Sequence, residues 1–171
     1  MTKNDQEDIY SLIGLTLCFI QQVESTLNFV LTYVLQDDEP LTIQNLEQLK
    51  RKERKSTLGY FVKKLKMRAE LLPALETLLD EFLTNRNDFV HNQKDIPGWD
   101  LQTKEGEAVA REFTIKLLLQ GKKLLETFYA LIIQWDQHVG LNTPFPNEQF
   151  VRTIDEQYGW LVDSLFTKKE T

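Results

Sequence analysis

Residues 9–34, IYSLIGLTLCFIQQVESTLNFVLTYV, decide how this chain folds. Ile9, Ile13, Thr16 through its methyl, Ile20, Val23, Leu27, Val30 and Val34 recur in alternating steps of four and three. That is the period of one long amphipathic helix. The run Asp37, Asp38, Glu39, Pro40 predicts its end. Leu12, Leu15 and Phe19 form a second stripe, which widens the apolar face of the first half beyond a single seam. The helix is therefore expected to touch two neighbours, another subunit being one candidate.

Working outward from this helix, the same period returns. Thr42 is placed to cap a short helix through Leu46 and Leu49, and Ser56 or Thr57 to cap another whose buried side is Leu58, Phe61, Val62 and Leu65. Pro73 fits the first turn of a helix with Leu75, Leu78, Leu79 and Phe82 along one stripe, which leads to Arg86. Residues 92–103 contain Pro97-Gly98, lack a helical period and predict the principal loop. Ala110, Phe113, Leu117, Gly121, Leu124, Phe128, Leu131 and Trp135 mark a second long helix that should end near Gly140 and the breakers Pro144 and Pro146. Val151, Ile154, Tyr158, Leu161 and Leu165 predict a last one. No repeat and no segment of β period is evident. Long helices with one apolar face each, joined by short polar connections, predict an all-α antiparallel helical bundle. The expectation is a single domain over residues 1–171, with a core of about 5–138 and a C-terminal helix at about 147–167.

Composition narrows the function classes. With 171 residues and 42% hydrophobic content the chain can bury one sizeable core, and seven glycines and five prolines suit long regular elements. No apolar run approaches the roughly 18 residues of a membrane span, and Asp5, Glu7 and Asp8 replace the basic start of a signal peptide. A cytoplasmic location is the expectation. One cysteine, Cys18, excludes an internal disulfide, and two histidines with no ligand cluster lead to the expectation of no metal and no cofactor. The net charge of −6 is unevenly placed: between Lys50 and Arg68 nine basic residues face only Glu53. Lys50, Arg51, Lys52, Lys63, Lys64 and Lys66 are candidates for an RNA-binding face, with a plain solvated helix surface as the alternative.

The chemistry concentrates in Arg86-Asn87-Asp88-Phe89-Val90-His91. Arg86 continues an apolar stripe, and a buried, unpaired guanidinium would cost several kcal/mol, so a partner must meet it. Asn87 and His91, four apart, share a helix face, and the long arginine can swing toward the imidazole. Such a set suits phosphodiester chemistry without metal. Histidine moves protons near neutral pH, arginine holds a phosphate as charge builds on it, and asparagine orients either ring or substrate. Asp88 can pair with Arg86 or another base. The attacking group can be the 2′-hydroxyl of RNA, which restricts the substrate to RNA. The alternative is a capping cluster, in which Asn92 closes the helix, His91 lies at its negative end and Arg86 pairs with Asp88 or Glu24. Trp99 fits either a base-stacking platform or a cover for the bundle end, and His138 fits a C-terminal cap.

Arg-Asn-x-x-x-His at a helix end in an all-α chain resembles the HEPN superfamily of helical nucleotide-binding and ribonuclease domains. Thr57-Leu58-Gly59 opening a basic helix, and Trp99-Asp100-Leu101 leading to Glu105-Gly106, add to the likeness with small bacterial members. It spans about residues 12–135. The resemblance implies a homodimer whose two motifs face each other in one composite site. Arg86 would stabilise the transition state, His91 would be the acid or base, and Asn87 would support them. Asp88 and Glu24 are secondary candidates. It further implies a metal-independent endoribonuclease giving 2′,3′-cyclic phosphate ends, of the kind found as toxins in toxin–antitoxin pairs and in phage defence. Such proteins are often restrained by an antitoxin or a nucleotidyltransferase-like partner. Other members are non-catalytic regulatory or interaction modules, which is the second expectation.

Overall fold

The computed structural model describes residues 3–35, 57–141 and 166–168, and these are mostly helical. Helix α1 (Lys3–Phe29) continues into a π-helical turn at Val30–Val34. Then come α2 (Leu58–Arg68), strand β1 (Ala69–Leu71), α3 (Pro73–His91), a short 3-10 turn (Gln93–Asp95), α4 (Lys104–Val139) and strand β2 (Phe166–Lys168). None of the described helices is long and apolar enough to cross a membrane. The helices expected around Leu46 and Leu49 and at about 147–165 lie outside the described residues.

The element boundaries follow the local chemistry. Pro73 stands at the first position of α3, where its missing N–H is no loss. Thr57 occupies the N-cap position of α2, but it caps through its main-chain carbonyl, which accepts from the Tyr60 and Phe61 N–H groups. At the start of α4 the Thr103 hydroxyl accepts from the Gly106 N–H at 3.1 Å. Its end is a Schellman closure: Gly140 adopts φ 71°, its N–H donates to the Gln137 carbonyl, and the Leu141 N–H donates to that of Asp136. Helix α3 closes at Asn92, whose N–H donates to the Asp88 carbonyl at 2.9 Å and whose φ of −129° is not left-handed.

The chain divides into two compact units, the first comprising residues 1–23 and 77–124 and the second residues 24–76 and 125–171. In the first, Ile9, Thr16, Ile20 and Val23 of α1 are buried, as are Leu79, Phe82 and Phe89 of α3 and Ala110, Leu117 and Leu124 of α4. Ile13 is half-buried, so the four-and-three stripe is the inward side of α1. The second stripe is different: Leu15 is 49% exposed, while Leu12 and Phe19 are half-buried. Gly121 lies where an added Cβ would come within 3.3 Å of the Phe82 ring and 3.7 Å of Val23, so α4 approaches both closely at this point.

In the second unit Leu27, Val30, Leu31 and Leu35 are buried, with Leu58, Phe61, Val62 and Leu65 of α2 and Phe128 and Ile133 of α4. The π-helical turn leaves carbonyls without helical partners. Arg68 meets two of them, its Nη1 donating to the Leu31 and Leu35 oxygens at 2.5 and 2.9 Å. Strands β1 and β2 pair antiparallel, with Ala69 opposite Lys168 and Leu71 opposite Phe166. Three residues each are too short to show an alternating pattern, which is why the sequence carried no sign of them. Positions 166 and 167, expected at the end of the last helix, belong to this ribbon.

Between Asp100 and Gly106 the chain passes itself too closely for a side chain, since a Cβ on Gly106 would stand 2.3 Å from the Asp100 carbonyl oxygen. Backbone cannot yield as a flexible side chain does. Gly106→Ala is expected to destabilise the protein by about 1–3 kcal/mol, seen as a lower urea midpoint with unchanged slope; a wild-type midpoint would contradict this close approach.

Candidate functional site

Helix α3 carries the candidate residues in its last two turns. The stripe that buries Leu75, Leu79, Phe82 and Phe89 brings Arg86 to its margin, so the arginine is half-buried and its Nε is inaccessible to solvent. Its stem is packed while its end group reaches the surface, the usual compromise of a long charged side chain. Asn87 and Asp88 are half-buried and His91 is exposed in the final turn.

Arg86 does swing toward the imidazole. Its Nη1 lies 3.2 Å from the Asn87 Oδ1, to which it donates, and 3.2 Å from the His91 Nε2. A guanidinium only donates. The contact with His91 therefore requires Nε2 to hold a lone pair, which places the proton of the neutral ring on Nδ1. One arginine nitrogen thus addresses both residues that share the next helix face, and the three form one cluster within a single chain. In chemical terms the cluster offers a multi-donor cation, a proton acceptor beside it and an amide that orients the cation. Such a set fits binding a phosphate and taking a proton from a neighbouring hydroxyl.

The surroundings are organised by contacts that sequence reasoning did not single out. Asn85 Nδ2 donates to Gln120 Oε1 at 2.8 Å, and Gln120 Nε2 donates to Glu81 Oε2 at 3.0 Å, joining α3 to α4. The legible signal was a polar Gln120 beside Gly121 in an otherwise apolar stripe, opposite Glu81 and Asn85 spaced by four. Trp99 lies between Phe89 and Phe113, with ring centroids 6.0 Å from each and near-perpendicular planes. The loop after His91 thus uses its tryptophan as cover for the end of the core. On α4, Glu107 accepts from Arg111 at 2.9 Å.

The remaining candidates belong to other elements or lie outside the described residues. Lys50, Arg51 and Lys52 lie outside the described residues. Lys63, Lys64 and Lys66 stand on α2 in the second unit. Lys63 is exposed, Lys64 holds its ammonium 5.7 Å from the Tyr60 ring centroid, and Lys66 pairs with Glu76 at 3.1 Å. With Arg68 bound to main-chain carbonyls, three of these four cations have partners within the chain. Glu24 is half-buried in α1 at the start of the second unit, and His138 is exposed in the last turn of α4. Among the described residues no three His, Cys, Asp or Glu side chains are grouped to hold a metal ion.

No protein-family model matches the chain, and neither a curated protein nor a solved structure matches it. The site therefore stands on its own geometry.

Because the Arg86 contact sets which ring nitrogen carries the proton, nitrogen NMR of the neutral His91 imidazole is expected to report the Nδ1–H form in the wild type. Arg86→Ala should lose that bias while the helical circular dichroism is retained. The same tautomer in both proteins would mean that Arg86 does not order the ring.

Proposed function

We propose that this chain is a metal-independent endoribonuclease, with Arg86, Asn87 and His91 as its half-site. The observation that carries the reading is the single Arg86 nitrogen shared between Asn87 and an imidazole nitrogen that must accept. An RNA phosphate draws the Arg86 donor from His91, because a charged acceptor binds a guanidinium more strongly than a neutral ring does. Nε2 is then available to take the proton of the adjacent 2′-hydroxyl. The 2′-oxygen attacks phosphorus, Arg86 offsets the charge gathering on the non-bridging oxygens, and the 5′-oxygen leaves with a proton. The products are a 2′,3′-cyclic phosphate and a 5′-hydroxyl.

The proposal includes an antiparallel bundle of the HEPN type and a homodimer in which two half-sites combine. One His91 accepts the proton while the other donates to the leaving oxygen. A toxin or phage-defence role, with an antitoxin or nucleotidyltransferase-like partner, belongs to the same reading.

The second reading is a non-catalytic HEPN-like regulatory or interaction module. It is favoured by apolar side chains on outward faces, with Leu15 49% and Leu119 53% exposed, and by the internal partners of Lys66 and Arg68. An inert purified protein whose His91→Ala variant retains every cellular effect would establish it.

For the nuclease, cleavage of RNA in EDTA should fall by about 100-fold or more in His91→Ala and in Arg86→Ala, with folding retained by circular dichroism. Wild-type rates in either variant would sink it. If α2 contributes to RNA binding, neutralising Lys63 and Lys64 together should flatten the slope of log affinity against log salt by about 1.4 for a single strand. An unchanged slope would return both lysines to solvated surface.

A further inference from the structure

Gln120 is 7% exposed, deep for a primary amide, and each end of its amide is committed. A carboxylate cannot donate, so Nε2 must be the atom facing Glu81, and Oε1 must then be the acceptor for Asn85. The chain Asn85 to Gln120 to Glu81 has one direction. It clasps two successive turns of α3, residues 81 and 85, from a single residue of α4, directly before Arg86.

The clasp shares its seam with apolar contacts. Phe82, between Glu81 and Asn85, meets α4 at Gly121, and about one turn after Asn85 Phe89 meets the Trp99 ring that also touches Phe113. Apolar surfaces tolerate small rotations, whereas two directed hydrogen bonds do not. Successive residues of a helix differ by about 100°. Turning α3 by a fraction of that would break both bonds of Gln120 and carry the margin residue Arg86 fully into solvent or into the core.

We infer that Gln120 is a positioning residue for the Arg86–His91 cluster: with Asn85 and Glu81 it sets the rotation of α3, which keeps the Arg86 stem packed. The guanidinium then lies back across Asn87 to His91. An arginine released from the seam would extend into water and leave the imidazole. This role rests on the nuclease reading only where catalysis is the readout, and the geometry itself is open to a direct test.

The test uses the full-length protein and two variants. Gln120→Met removes both hydrogen bonds, keeps the volume and buries no charge. In the double variant Glu81→Gln with Gln120→Glu, residue 81 now donates, residue 120 accepts, and Asn85 still donates to residue 120, so both bonds return with their roles exchanged. The first readout is solvent exchange of the Arg86 Nε–H proton together with the His91 tautomer, each seen by NMR. In folded Gln120→Met, exchange should accelerate by about tenfold or more and the Nδ1–H bias should fade; the double variant should recover both. The second readout, RNA cleavage, should show kcat down by about 100-fold in Gln120→Met at a similar KM, and recovered in the double variant.

A folded Gln120→Met protein with wild-type Arg86 exchange and His91 tautomer overturns the positioning role whether or not the protein cleaves RNA. A double variant that folds but recovers neither signal overturns it as well. A wild-type protein inert toward RNA overturns the nuclease reading alone, because the NMR comparison still decides the role of Gln120.

Discussion

Phe82 against Gly121 is the close approach on which the first unit depends. The added Cβ of any other residue at position 121 would crowd the Phe82 ring and touch Val23, so α1, α3 and α4 meet at this level. The polar clasp of Gln120 on Glu81 and Asn85 straddles Phe82 at the same level, and toward the end of α3 follows the aromatic group of Phe89, Trp99 and Phe113. Apolar contact supplies the affinity of the helices for each other, being proportional to area and without direction. Hydrogen bonding at Gln120 supplies the direction.

Arg86 is interpretable only within that frame. A guanidinium at the margin of a packed stripe has its stem held and its head group restricted, which lowers the entropy lost when it takes a ligand. Its Nη1 stands 3.2 Å from the Nε2 of an exposed histidine on the same helix, a contact in which the ring nitrogen accepts. In the loop that follows, the half-buried Trp99 packs edge-on against Phe89 and Phe113.

In the second unit the basic segment has divided roles. Arg68 satisfies main-chain carbonyls released by the π-helical turn, and Lys66 pairs with Glu76, whereas Lys63 remains on the surface. Charge counted along a sequence does not distinguish a cation that closes a helix end from one that waits for a polyanion. The distinction depends on which carbonyls and carboxylates the fold brings near.

The sequence by itself determined the described helices. The four-and-three stripe from Ile9 to Val34, Pro73 at a first turn, the loop around Pro97-Gly98 and the end of α4 at Gly140 are all local consequences of period, ring closure and left-handed backbone. They are legible because the residues that decide them are neighbours in the chain. Spacing also made the Arg86, Asn87 and His91 cluster visible, since Asn87 and His91 share a helix face. Only the tertiary structure decided that Arg86 sits at the edge of a seam and that Trp99 covers the core. It alone paired residues 69–71 with 166–168 and set Gln120 to clasp two turns of α3. Each of these joins groups far apart in sequence, and such contacts are chosen by which surfaces come together, which no local period encodes.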